Sequence, residues 1–203
     1  MSNLEIGIIG DSQTGKTNLI SVYKGVGFFE SITPTIGIDS YSIELTSPKN
    51  INYKLKIIDT AGQEQYDSLT LNTFKKCRGL ILVYSIDNEN SFNNIKNKWI
   101  EKIKDSFDIT KTPIILVGNK KDLKDKRNIS KEEGEKLAEE NKFEFFETSA
   151  KTGENVNKIF QTLFEIIVKD IEKNIIIKKI NNKEKTETFK IGETKKIVHK
   201  KCC

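Results

Sequence analysis

Residues 4–17 read LEIGIIGDSQTGKT: an apolar run, Leu4 to Ile9, opening directly into the pattern G-x-x-x-x-G-K-T. The pattern predicts a strand, a phosphate-binding loop over Gly10, Asp11, Ser12, Gln13, Thr14 and Gly15, and the first turn of a helix. Gly10 and Gly15 allow the backbone to fold tightly, so that successive N–H groups point inward at negative charge. The positive end of the helix dipole adds to that field. In such a loop Lys16 pairs with the β- and γ-phosphates of a nucleoside triphosphate, and Thr17 offers its hydroxyl to Mg²⁺.

Working outward, five further apolar runs read as strands: Tyr41–Leu45, Tyr53–Ile58, Leu80–Ser85, Ile114–Gly118 and Phe143–Glu147. Ser47-Pro48-Lys49-Asn50 is a turn signal between the second and third, which predicts an antiparallel hairpin. Helices fill the other gaps. One runs from Lys16 to about Lys24 and one follows Gln65. A third starts near Ser91 with Phe92, Ile95, Trp99 and Ile103 on one face. A fourth starts at Ser130, where S-K-E-E forms a capping box with Glu133. The last follows Asn155 and buries Val156, Ile159, Phe160, Leu163, Ile166 and Ile167. The expected fold is therefore α/β: a six-stranded, mostly parallel sheet with one antiparallel strand and about five helices on both faces. In such sheets ligands bind beyond the carboxyl ends of the strands, and every motif described below follows a strand.

Asp59-Thr60-Ala61-Gly62-Gln63 closes the third strand. A carboxylate there, opposite the loop, is placed to hold Mg²⁺ through a water. Gly62 offers a backbone N–H to the γ-phosphate, and Gln63 can orient an attacking water. Residues 119–122, NKKD, follow the fifth strand. Asp122 can accept both the ring N–H and the exocyclic amine of guanine, a donor pair that adenine lacks. Asn119 can bond the base's acceptor edge, and the stem of Lys120 can cover its face. Residues 148–151, TSAK, follow the sixth strand, where the Ala150 N–H can meet the guanine carbonyl while Ser149 and Lys151 brace the loop. Phe28 either covers the base edge-on or staples the first helix. Thr35 lies on a loop where its hydroxyl reaches Mg²⁺ only when a γ-phosphate draws the loop inward.

Charge is unevenly distributed over the 203 residues. Residues 1–168 carry 23 Lys and Arg against 24 Asp and Glu, a net −1, whereas residues 169–203 carry 11 against 5, a net +6. A near-neutral globular part argues against a nucleic-acid-binding domain, whose basic patch would lie on the folded face. The first ten residues lack a basic region before their short apolar run and read as a strand, not a signal peptide. No stretch approaches the ~20 apolar residues that span a bilayer. Of three cysteines, two end the chain, so no disulfide framework is expected and Cys77 reads as an inert, partly buried thiol. The expected organisation is a domain over 1–173 and a flexible basic tail over 174–203.

With these residues in place, the chain resembles Ras-superfamily small GTPases, and among them the Rab family, over residues 4 to about 170 and at its terminus. The shared pieces are GDS, TIGID, KLKIIDTAGQE, ILVYSI, NKKDL, ETSAK and the final Cys202-Cys203. The resemblance implies a GTP- and GDP-binding, Mg²⁺-dependent switch in vesicle trafficking, with slow intrinsic hydrolysis stimulated by a GTPase-activating protein. Lys16, Thr35 and Gln63 are then the catalytic positions. Ile32, Thr33, Pro34, Thr35, Ile36, Gly37, Ile38, Asp39 and Ser40 form the effector region. Implied partners are exchange factors, effectors, a GDP-dissociation inhibitor and a Rab escort-type protein, acting on a monomer. Cys202-Cys203 resembles a double geranylgeranylation signal. Two lipid chains anchor stably where one does not, and Lys195, Lys196, Lys200 and Lys201 would each add roughly 1 kcal/mol near anionic lipid. The expected location is the cytoplasmic face of an intracellular or plasma membrane, with a cytosolic pool.

The chain also departs from the family. Gln13 stands where the family carries Gly, so that a side chain is expected to crowd the phosphates. Three surface aromatics are replaced by Ser40, Ile58 and Thr73. These departures leave open a Rab-like nucleotide-bound scaffold with little hydrolysis. A small-molecule kinase would share the phosphate loop but would need an arginine-rich lid, and this chain has only Arg78 and Arg127.

Overall fold

The computed structural model describes residues 2–31, 35, 37–60, 74–106, 108 and 110–175. Its six strands are β1 (Ser2–Ile9), β2 (Ile38–Thr46), β3 (Asn52–Thr60), β4 (Gly79–Ser85), β5 (Ile114–Asn119) and β6 (Glu144–Glu147). They form one sheet in the order β2-β3-β1-β4-β5-β6. Only β2 is antiparallel to its neighbour, with Thr46 opposite Asn52 across the turn. That turn closes as Ser47 and Ile51 exchange bonds and Asn50 takes a left-handed φ of 58°. The four parallel pairings, β1 with β3 and β4, then β4 with β5 and β5 with β6, leave a change of winding direction between β1 and β4. A crevice at such a switch point is where ligands enter this class of sheet, and the loop after β1 opens there.

Alternation along the strands assigns each side chain to a face. Leu80, Leu82, Tyr84, Ile114 and Leu116 face one way, into a cluster with Phe92, Ile95, Trp99, Ile103 and Leu137. These last belong to α2 (Glu89–Asn94), to α3 (Ile100–Ser106), to the π-helical turn joining them (Ile95–Trp99), and to α4 (Lys131–Asn141). The opposite face is covered by α1 (Lys16–Tyr23) and by residues 156–165 of α5, a helix described over residues 156–175. There Tyr23 stacks on Phe160 with ring centres 4.2 Å apart. Each fully buried aliphatic side chain contributes about 1.5–3 kcal/mol, and both faces carry several.

Local signals explain the helix boundaries. Ser130 and Glu133 form the reciprocal capping box. α2 begins at Glu89, earlier than the expected Ser91, because the Asn88 side chain accepts the Ser91 N–H at 3.1 Å and caps the helix one turn ahead. In α5, Val156, Ile159, Phe160 and Leu163 are buried, while Ile166 is half-buried. Ile58, expected at the surface, is 2% exposed and packs with Ile9, Phe74 and Leu80. The register explains this correction: Ile58 is paired with Gly7, whose missing side chain leaves the space that the Phe74 ring fills.

Two compact units divide at Glu165 and Ile166; of the second, residues 166–175 are described and are helical. The helix expected after Gln65 lies outside the described residues, as do Ile32, Thr33, Pro34, Ile36, Gly62, Gln63, Thr73 and residues 176–203. Among the described residues no helix is long and apolar enough to cross a membrane.

Candidate functional site

The loop from Gly10 to Gly15 closes tightly because both glycines take positive φ, 149° and 92°. At Gly10 a side chain would strike the Val83 carbonyl on β4, so the loop leaves β1 pressed against its neighbour. Gly15 sits at the N-cap of α1 and no side chain caps that end. Its N–H groups and the helix dipole therefore face the loop's interior, an arrangement suited to an anion.

Lys16 is 5% exposed, and its ammonium donates to the carbonyls of Gly10 and Asp11, each at 2.8 Å. Burial lowers its pKa to about 8, while the charges of Asp59 and Asp11 pull it back up. An anion in the loop would restore the lost solvation. Thr14, also buried, donates to the Asp11 carbonyl at 2.9 Å. Ser12 and Gln13 are exposed. Gln13 takes a left-handed φ of 63°, a conformation costing a residue with a Cβ about 1–2 kcal/mol. The departure at this position thus costs backbone strain.

Thr17 is the hub of an oxygen cluster. Its hydroxyl donates to Asp59 Oδ2 at 2.7 Å and lies 3.1 Å from the hydroxyl of Thr35. Asp59 is fully buried. A carboxylate with two hydroxyls is a hard-oxygen set, the chemistry Mg²⁺ requires, so these residues fit the ion. Gly37 (φ 76°), Ile38, Asp39 and Ser40 lead from Thr35 into β2, the last three exposed.

On the other side of the phosphate loop, Asn119 occupies the junction of three loops. Its Nδ2 donates to the Thr14 carbonyl at 2.8 Å, and its Oδ1 accepts from the Thr148 hydroxyl at 3.0 Å and the Ala150 N–H at 3.3 Å. The carboxamide expected at the base edge is thus engaged within the protein, tying the phosphate loop to NKKD and TSAK. Asp122 Oδ1 accepts from the Ser149 hydroxyl at 2.6 Å. Ser149 also accepts from the Thr152 N–H at 3.1 Å. Lys120 has a left-handed φ of 67°, and its ammonium stands 3.7 Å from Asp87. Lys151 is exposed. Phe28 is 36% exposed, an apolar side chain only partly covered by the protein. The adjacent Phe29 is fixed by two bonds with the Asn18 side chain, at 2.9 and 3.0 Å.

The sequence reading missed a brace behind these loops. Glu147, 6% exposed at the end of β6, receives both nitrogens of Arg127, at 2.5 and 3.1 Å. Arg127 follows NKKD through a short 3-10 turn, and its guanidinium also donates to the Ile129 carbonyl at 3.0 Å. The Glu147 carbonyl accepts from Asn155 at 2.8 Å. The available signal was an arginine shortly after NKKD and a glutamate just before TSAK.

A model of the Ras family matches residues 5–169. The chain is 42% identical to the Ras-related protein Rab-3C of Bos taurus over 160 residues, 79% of this chain and 69% of that one. It is 42% identical to the Ras-related protein Rab-8B of Homo sapiens over 172 residues, 83% of this chain and 80% of the other. With the Ras-related protein Rab-11B of Dictyostelium discoideum it shares 41% over 170 residues, 84% and 76% of the two chains. Together with the sheet order and the loops gathered at its carboxyl edge, this places the chain in the Ras family, as a small GTPase similar to the Rab proteins.

Proposed function

We propose that the chain is a Rab-like switch that binds GDP or GTP with Mg²⁺, hydrolyses GTP slowly, and recruits effectors on intracellular membranes during vesicle trafficking. The observation carrying this reading is the junction at Asn119, where one buried carboxamide bonds to the phosphate loop, Thr148 and Ala150. A carboxylate that selects guanine and a loop that grips phosphate are thereby held in one rigid frame.

In the proposed reaction water attacks the γ-phosphorus in line and GDP leaves. The Lys16 ammonium donates to the Gly10 and Asp11 carbonyls and has a third N–H to turn onto the β- and γ-phosphates. Thr17, Thr35 and Asp59 would hold Mg²⁺, which supplies positive charge to the phosphate oxygens when bound. Gln63 orients the water, and backbone N–H groups of Ser12 to Thr17 receive the developing charge. Neither arginine serves as an internal finger: Arg127 is paired with Glu147, and the Arg78 backbone N–H bonds to the Glu5 carbonyl in mid-β1, just before the start of β4 and away from the phosphate loop at the end of β1. Stimulated hydrolysis then requires a GTPase-activating partner, and reloading requires an exchange factor. Geranylgeranyl groups on Cys202 and Cys203 would hold the switch on the cytoplasmic leaflet, from which a GDP-dissociation inhibitor withdraws it.

Equilibrium competition against a fluorescent GDP analogue tests this reading. GTP and GDP should displace the probe at least a thousand times better than ATP, and chelating Mg²⁺ should speed release. Equal displacement by ATP, or indifference to Mg²⁺, would overturn it.

A further inference from the structure

We propose that Asn94 and Trp99 are positioning residues for the phosphate loop, brought onto one helix face by the π-turn between them to grip the Asp11 carboxylate. The proposal rests on the loop being the nucleotide site. The Asp11 side chain points back at the helix and away from the loop's interior. Its Oδ2 accepts from Asn94 Nδ2 at 2.6 Å, and its Oδ1 accepts from the Trp99 indole N–H at 2.8 Å. Both carboxylate oxygens are therefore held by donors from one helix, and bonds to an ionised acceptor are among the stronger ones available. The Asp11 carbonyl meanwhile receives the Lys16 ammonium at 2.8 Å and the Thr14 hydroxyl at 2.9 Å. A hold on Asp11 thus bears directly on the lysine and on the path of the loop.

The π-turn makes the two-handed grip possible. At about 100° per residue, positions five apart in an α-helix diverge by roughly 140°, so Asn94 and Trp99 would not face one carboxylate. Here the Ile100 N–H reaches back to the Ile95 carbonyl, the five-residue spacing of a π-turn. Residues five apart then lie about one turn apart, and both donors share a face. The extra residue is taken up at exposed Lys96 and Asn97, while Ile95, Trp99, Ile100 and Ile103 stay buried. The indole is itself fixed: it is 2% exposed, with the ammonium groups of Lys98 and Lys102 at 4.9 and 5.6 Å from its ring centre. If Trp99 served only to fill the core, its loss would weaken the fold without changing how the loop holds phosphate.

Dissociation of a fluorescent GDP analogue from the full chain, chased with excess GDP, separates these roles. Asn94→Ala and Trp99→Phe should each speed release about tenfold, the effect of one lost bond to a charged group. Deleting Asn97 should convert the turn to regular helix with the donors four apart, roughly 40° around the axis, and leave release within about twofold of the parent. Trp99 is the sole tryptophan, so its emission reads the grip without nucleotide: in the nucleotide-free chain Asn94→Ala should shift it. Parental release rates in both substituted chains, or unchanged emission, overturn the proposal. Fast release in the Asn97 deletion overturns the register argument. Failure of the parent chain to bind GDP, with the emission shift intact, would count against the nucleotide reading instead.

Discussion

Replacing Asn119 with alanine removes three hydrogen bonds at once, to the Thr14 carbonyl, the Thr148 hydroxyl and the Ala150 N–H. Thr14, Thr148 and Ala150 are each less than 5% exposed, so water cannot readily replace the lost partner. With each bond worth about 1 kcal/mol net, and stranded buried groups adding to that, the expected loss is about 3 kcal/mol. For a domain of this size unfolding in urea with a slope of about 2 kcal/mol/M, the midpoint should fall by roughly 1.5 M. The assay is urea unfolding followed by circular dichroism, run on nucleotide-free and on GDP-loaded protein. If Asn119 works by joining loops, most of the loss appears without nucleotide. If it works by touching guanine, the loss appears only in the loaded form. A midpoint shift under about 0.5 M in the nucleotide-free chain would refute the joining role.

Above about pH 8 the free chain should gain stability: burial depresses the Lys16 pKa from 10.5 to about 8, so the cost of its charge is full below that value and vanishes as pH rises toward 10.5. Bound phosphate reverses the preference. GDP affinity should therefore fall by up to about tenfold per pH unit between roughly 8 and 10, and calorimetry should find no such slope in Lys16→Met. Arg127→Ala strands the buried Glu147 carboxylate and should cost about 3 kcal/mol. The pair Arg127→Met with Glu147→Leu should recover most of it, and a double variant as unstable as the single one would dismiss the brace. Gln63→Leu should leave GTP binding intact and abolish hydrolysis stimulated by an activating protein, as read by single-turnover phosphate release. A tagged chain lacking Cys202 and Cys203 should become diffuse in cells, whereas a full chain that is diffuse as well would count against lipidation.

Much of the architecture could be read directly from residue order. The β1 run, the hairpin turn at Ser47 to Asn50, the Ser130 capping box and the apolar periodicity before Trp99 are local signals. A strand's face or a helix's cap depends on residues a few places away. The same holds for the individual loops, since GDSQTGKT, NKKD and TSAK each state their chemistry within eight residues. Ile58 shows where that reading ends. Its exposure depends on Gly7 and Phe74, which are remote in the chain.

Residue order alone therefore carried the fold class, the loops and the ligand chemistry proposed for them, because these follow from short-range spacing and side-chain type. How the loops hold one another came from packing. Asn119 on Thr14, Arg127 on Glu147, and Asp11 between Asn94 and Trp99 join positions 20 to 105 residues apart. A hydrogen bond needs atoms within about 3 Å at a suitable angle. No periodicity encodes such a meeting: it exists only once the sheet has brought its strand ends together and a π-turn has shifted one helix by a residue.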